Sequence, residues 1–236
     1  MEQYNFDIPF NVDAPQIISA SEHHMALLFL LDTSGSMGDM IPGTTTTPIY
    51  ELNEALNRFK EEVCKDEHTK EILDVAIVEF NSTFRVVQEF TPIEYMNPVK
   101  LEAYGQTFMC DALDVAVNMV TERSRFYRKS GAEPYKPWIV LISDGAPFDD
   151  ITEMAMRIAG LTEENKLAFW SLAVQGADMN TLHRLSGRRV LRLSGYDFSG
   201  FLDWANKSMR AVSQSSPGEK VKGQALPATI TIDDLM

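Results

Sequence analysis

Cysteine is scarce: Cys64 and Cys110 are the only two in a chain of 236 residues, too few for a disulfide framework and suited to a reducing compartment. Basic side chains are also in deficit. Against 34 acidic residues stand 21 Lys and Arg, a net charge of −13, whereas neutralising phosphates needs clustered positive charge. Nucleic acid and anionic membrane surfaces are therefore not expected as partners, while an acidic shell draws cations and keeps a protein soluble. No apolar run approaches the roughly 20 residues that cross a bilayer. Residues 1–11 are polar and acidic, without the basic-then-apolar order of a secretion signal. A cytoplasmic protein is expected. The G-x-x-x-x-G-K-[ST] phosphate loop is missing, and Ser36 lies in S-G-S-M-G rather than in the G-x-S-x-G of a nucleophile elbow.

What the chain does have is a 44% apolar composition, enough for a full core. Residues 1–24, with Pro9 and Pro15, read as an extended N-terminal arm. Short continuous apolar runs follow at 25–31 (MALLFLL), 75–80 (VAIVEF), 138–143 (WIVLIS), 168–174 (AFWSLAV) and 190–193. Runs of this kind fit strands covered on both faces. A further run at 83–90 follows so closely that only a hairpin joins it to its predecessor. Phe29, Phe80, Trp138, Phe169 and Trp170 lie in these strands and are expected in the core, with Trp204 packing the last helix.

Between the strands the spacing turns helical. Ile49, Leu52, Leu56, Phe59 and Val63 form a stripe behind Thr47, a capping residue, and Pro48. Ala112, Leu113, Ala116, Val117 and Val120 form a second stripe, and Ile151, Met154, Ala155 and Ile158 a third. Two more helices are expected near 178–186 and 196–212. Alternating strands and helices imply an α/β fold: a doubly wound, mostly parallel six-stranded sheet with helices on both faces and one antiparallel edge strand. Residues 25–212 form the domain, and 213–236, rich in small and breaker residues, are expected as a flexible tail whose ATITI segment has strand-like alternation.

Ligands of doubly wound sheets bind at the carboxyl ends of strands, where strand order reverses. The first strand ends in Asp32-Thr33-Ser34-Gly35-Ser36, offering a carboxylate and two hydroxyls on alternate residues. The run 138–143 leads into Asp144-Gly145, and Thr107 stands in the loop before the second helical stripe. Asp32, Ser34, Ser36, Thr107 and Asp144 are all hard oxygen donors, a set that selects Mg²⁺, Mn²⁺ or Ca²⁺ over zinc or copper. Hydroxyls are neutral ligands. An ion held largely by them keeps enough charge to attract one more carboxylate.

The Asp32-x-Ser34-x-Ser36, Thr107 and Asp144-Gly145 set resembles the metal-ion-dependent adhesion site (MIDAS) of von Willebrand factor A (vWA) domains, over roughly residues 25–212. The resemblance implies the strand order 3-2-1-4-5-6 and a Mg²⁺ reached by the hydroxyls of Ser34, Ser36 and Thr107. Asp32 and Asp144 would hold it directly or through water. It further implies a protein–protein interaction module in which a partner's Asp or Glu fills the last place. Within the family the chain looks like the stand-alone bacterial members associated with tellurium resistance and chemical stress. It departs from the usual pattern between Ser36 and Ile49, where GDMIPGTTTTP makes a longer loop that is expected to overhang the metal, as a partner-selecting element or a solvated insertion. Asp39 and Asp149 are expected on the solvated surface.

Two other readings compete. A metal-dependent hydrolase, such as a phosphoesterase, would need a general base, and His23, His24, His68 and His183 all fall outside the strand-end loops; a dehalogenase-type phosphatase would want Asp where Ser34 stands. An enzyme is not expected. Alternatively, Asp32, Ser34 and Ser36 satisfy only loop backbone groups and the domain is purely structural.

Overall fold

The computed structural model describes residues 23–234 apart from positions 145, 188, 217, 218, 220 and 222. The expected arm at 1–24 falls almost wholly outside the described residues, as does Gly145. Strands and helices alternate in the order β1 (Met25–Asp32), α1 (Pro48–Val63), α2 (Glu67–Ile72), β2 (Leu73–Phe80), β3 (Phe84–Pro92), α3 (Cys110–Lys129), β4 (Trp138–Ser143), α4 (Thr152–Glu163), β5 (Ala168–Ala173), α5 (Met179–Ser186), β6 (Arg189–Leu193), α6 (Phe198–Ser213) and β7 (Ile230–Asp234). The short helix α2, started by the Asp66 carboxylate on the Thr69 amide at 2.9 Å, has no counterpart in the sequence reading.

The sheet runs β3-β2-β1-β4-β5-β6-β7. It has seven strands rather than the expected six. The first six keep the implied order, with β3 folded back on β2 as an antiparallel edge. The seventh comes from the segment expected as a flexible tail: β7 pairs antiparallel with β6, Leu193 opposite Ile230. Ile230 is buried while Ile232 is exposed, and Asp233 accepts hydrogen bonds from Arg192 at 2.7 Å and pairs with His183 at 3.1 Å. The alternation in ATITI is a genuine strand signal, and what completes it is an edge supplied by β6.

The continuous apolar runs have a direct cause. Along β1, Met25, Leu27, Phe29 and Leu31 pack with α1 and α6 side chains such as Leu56, Phe59 and Phe201. Ala26, Leu28 and Leu30 pack on the other face with Leu113, Val117 and Ile158. Every residue of the strand is buried, and each fully buried Leu contributes about 2 kcal/mol. Helix α1 starts as its sequence implies, Thr47 accepting the Tyr50 amide at 3.4 Å with Pro48 in the first turn.

A buried charged pair sits within this core, at the end of the sheet opposite Asp32. Asp74, paired with Ala26 in the register, accepts the Arg123 guanidinium at 2.7 and 3.2 Å and the Tyr127 hydroxyl. Arg123 lies over the rings of Phe126 and Tyr127, 4.9 and 5.1 Å from their centroids.

Candidate metal centre

β1 and β4 are parallel neighbours with Leu31 opposite Ile142, so the chain leaves the sheet at one edge twice, at Asp32 and at Asp144. Asp32 is fully buried. Its Oδ1 accepts the Ser34 amide at 2.9 Å, bending the backbone into the short 3₁₀ turn Gly35–Gly38, and its Oδ2 accepts the Ser143 hydroxyl at 2.6 Å. The turn carries Ser36 across the gap. Its hydroxyl donates to Oδ1 of Asp144 at 2.9 Å and stands 3.2 Å from the Ser34 hydroxyl. Four of the five residues singled out in the sequence thus form one hydrogen-bonded group, Asp32, Ser34, Ser36 and Asp144.

Thr107 is buried in the loop leading to α3. Among the described residues its hydroxyl makes no hydrogen bond to the other four, but its loop is stitched to theirs. The Tyr104 amide donates to Thr33 O at 2.9 Å, Gly35 to Gly105 O at 3.0 Å, and Phe108 to Asn81 O at 2.8 Å. Gly105 has φ +77°, and a Cβ there would lie 2.5 Å from the Ser82 hydroxyl, which already accepts the Gln106 amide at 3.0 Å. The carbonyl of Thr107 takes the Phe148 amide at 2.8 Å, tying this loop to the one that follows Asp144.

The electrostatics of the group are unbalanced. Burial raises the Asp32 pKa above the ordinary carboxylate value against the pull of hydrogen bonds from Ser143 and Ser34. Burial, and then the charge of Asp32, push Asp144 up to about 6. No ion pair among the described residues involves either carboxylate. Two desolvated anions facing a pair of hydroxyls, with no Lys, Arg or His among the described residues paired with them, fit a divalent cation with hard oxygen preference. No three His, Cys, Asp or Glu side chains are placed to hold a metal ion among the described residues, so any such ion would rely on the hydroxyls.

Residues 26–198 match the family model described as von Willebrand factor type A domain. The chain belongs to that family. Among solved structures, this vWA domain is similar in fold to the pilus adhesin SpaC from Lactobacillus rhamnosus GG (TM-score 0.59, 12% identity, covering 80% of this chain and 31% of that one). It is similar also to a von Willebrand factor type A protein from Catenulispora acidiphila (0.57, 14%, 80% and 43%). A D319A mutant of the PilB minor pilin from Streptococcus sanguinis gives 0.54 at 13% identity, with 84% and 63% covered. The chain spans less than two thirds of the length of each of these structures. No curated protein matches it.

Several residues of this vWA domain that shape the candidate centre escaped the sequence reading. Ser143 positions Asp32; its signal is a polar residue closing an otherwise apolar strand. Asn81 donates to the Thr33 hydroxyl at 3.1 Å and holds the Phe108 amide, linking β2 to both loops. Asp149, expected as surface, accepts the Met109 and Cys110 amides at 2.9 and 2.6 Å and so caps α3 from another loop. Burial raises the pKa of Tyr196, before α6, and the charges of Asp144 and Asp39 add to the rise. The long loop after Ser36 closes on itself, the Ile41 amide donating to Thr46 O and the Thr44 amide to Ile41 O, both at 3.0 Å.

Proposed function

We propose that this vWA domain is a divalent-metal-dependent protein–protein interaction module that docks an acidic residue of a partner on a MIDAS Mg²⁺. The observation that carries the reading is the pair of buried carboxylates, Asp32 and Asp144, linked through Ser34 and Ser36 and left without a basic partner among the described residues. Asp32, Ser34, Ser36, Thr107 and Asp144 would hold the ion, with Mn²⁺ or Ca²⁺ as chemically acceptable substitutes. When bound, the cation supplies a positive charge with a place open to an oxygen from outside.

The residues of the chain do the rest. Ser143 and the Ser34 amide occupy both oxygens of Asp32 and fix its orientation, and Ser36 holds one oxygen of Asp144. Hydroxyl donors add no negative charge, so the two carboxylates leave a divalent ion with electrostatic capacity for a partner's Asp or Glu. The module is proposed to act by binding and not by catalysis. His23 and His24 precede β1 at the far end of the sheet, His68 bonds Ser213 O at 2.9 Å and His183 pairs with Asp233, which leaves no imidazole at the site to serve as general base.

The setting we infer is cytoplasmic, in a bacterial stress or tellurium-resistance system, in keeping with two free cysteines. Calorimetry with Mg²⁺ on the wild type and on Asp32→Ala and Asp144→Ala tests the metal: saturable binding is expected in the wild type alone, with circular dichroism unchanged. Partner capture from native cells must then disappear in chelator; capture that persists undiminished would overturn the docking reading.

A further inference from the structure

The candidate centre is framed by aromatic and apolar side chains that the fold has no internal use for. Four of the eight large apolar side chains exposed among the described residues, Met40, Tyr104, Phe108 and Phe148, sit on the three loops that carry the candidate ligands. Scattered exposed apolar residues are ordinary; a concentration of them around one site marks an interaction surface. Phe148 is 67% exposed and Phe108 39% exposed, yet their rings stack with centroids 5.9 Å apart. The pair is held from below. Phe108 follows Thr107 directly, the Phe148 amide binds Thr107 O at 2.8 Å, and Asp149 clamps the start of α3. A rigid pair of this kind loses little conformational entropy when something packs on it.

Charge on the same loops narrows what that something is. Residues 33–47, 103–109 and 144–151 contain no Lys or Arg, and include Asp39, Asp149 and Asp150 outside the candidate ligand set. A second acidic group on the partner would meet repulsion there, and no basic side chain on these loops offers it a complement. Apolar side chains beside the docking carboxylate meet Phe108, Phe148, Tyr104 and Met40 instead.

We infer that the Phe108–Phe148 pair makes this surface selective for a partner segment in which one Asp or Glu is flanked by bulky apolar residues. The inference rests on the docking reading above and adds the chemistry around the carboxylate. Burying two exposed aromatic rings against such a segment strengthens binding by roughly tenfold or more over a segment with small polar flanks.

Three fluorescein-labelled synthetic peptides test it by polarisation against the full chain in Mg²⁺: Gly-Phe-Asp-Leu-Gly, Gly-Ser-Asp-Ser-Gly and Gly-Phe-Asn-Leu-Gly. The first is expected to bind roughly tenfold tighter than either of the others, and EDTA to abolish the difference. In the double variant Phe108→Ser, Phe148→Ser the first peptide should fall to the level of the second, while Mn²⁺ binding by electron paramagnetic resonance and the circular dichroism spectrum stay unchanged. Equal binding of the first two peptides, a preference that survives the double variant, an Asn peptide binding as well as the Asp one, or no peptide binding by a chain that takes up Mn²⁺ would each overturn the inference and leave the metal reading standing. A wild-type chain that takes up no Mn²⁺ brings down both.

Discussion

Asp149 accepts the backbone amide of Cys110 at 2.6 Å, and through its other oxygen that of Met109 at 2.9 Å. A carboxylate on the loop after β4 thereby caps the helix that begins just past Thr107, so two of the three loops that carry the candidate ligands are coupled through one side chain. Replacing Asp149 by Ala is expected to cost about 1 kcal/mol in unfolding free energy, as for other lost helix caps, and to weaken Mg²⁺ binding by roughly tenfold, as for lost support of metal ligands. Denaturant melts and calorimetry measure the two effects. A variant with normal metal affinity would show that the Thr107 loop keeps its place without this clamp.

Gly105 is the tightest point of the same loop. Its φ of +77° and the 2.5 Å approach that a Cβ would make to the Ser82 hydroxyl both oppose a side chain. Gly105→Ala should destabilise the fold by about 1 to 2 kcal/mol and lower metal affinity, because Thr107 lies two residues on. Ser82→Ala in the Gly105→Ala background removes the clashing oxygen and should recover part of the loss, which thermal melts will reveal.

Asp144 sets a pH dependence. Its folded carboxyl titrates near 6 against an ordinary value of 3.8, so the folded chain holds the proton more tightly than the unfolded one. Without added cation, the contribution of this carboxyl to stability is largest below that window and is lost as pH rises from about 4 to about 6, a trend isolated by comparison with Asp144→Asn. Under the proposed metal reading Mg²⁺ takes the ionised form, so the upward shift in Tm expected from its binding should be full above about 6 and fade as the carboxyl protonates. Melting curves across this range, with and without Mg²⁺, check the sign of both trends.

At the opposite end of the sheet Asp74 and Arg123 form a buried pair. Asp74→Ala strips the guanidinium of this carboxylate and should cost on the order of 3 kcal/mol. Mg²⁺ affinity of the molecules that remain folded should be unchanged, since the pair lies across the length of β1 and β2 from Asp32. Calorimetry at low temperature separates this outcome from a general loosening of the domain.

Much of this was legible in the residues themselves. Runs such as MALLFLL have no polar face, and only a sheet covered on both sides buries every residue of them, so a doubly wound α/β fold follows from the pattern. Thr47-Pro48 marks the start of α1 for reasons of local hydrogen bonding and fixed φ. The D-x-S-x-S motif and Asp144 were distinguishable because each stands where an apolar run stops, and Thr107 because it lies in the loop just before a helical stripe. A strand like β7 was visible only as weak alternation: five residues with one buried face are not stable alone, and the partner edge that settles them lies in β6.

The sequence by itself determined the layer order, the core and the chemical character of the donors, because periodicity and side-chain type act locally. Only the tertiary structure decided which oxygens meet. Ser36 reaches Asp144 across 108 residues, Ser143 turns toward Asp32, Asp149 serves as a helix cap instead of a solvated charge, and Phe108 finds Phe148. These are contacts between loops whose spacing is set by the parallel register of β1 and β4, a long-range relation that no single stretch of chain encodes.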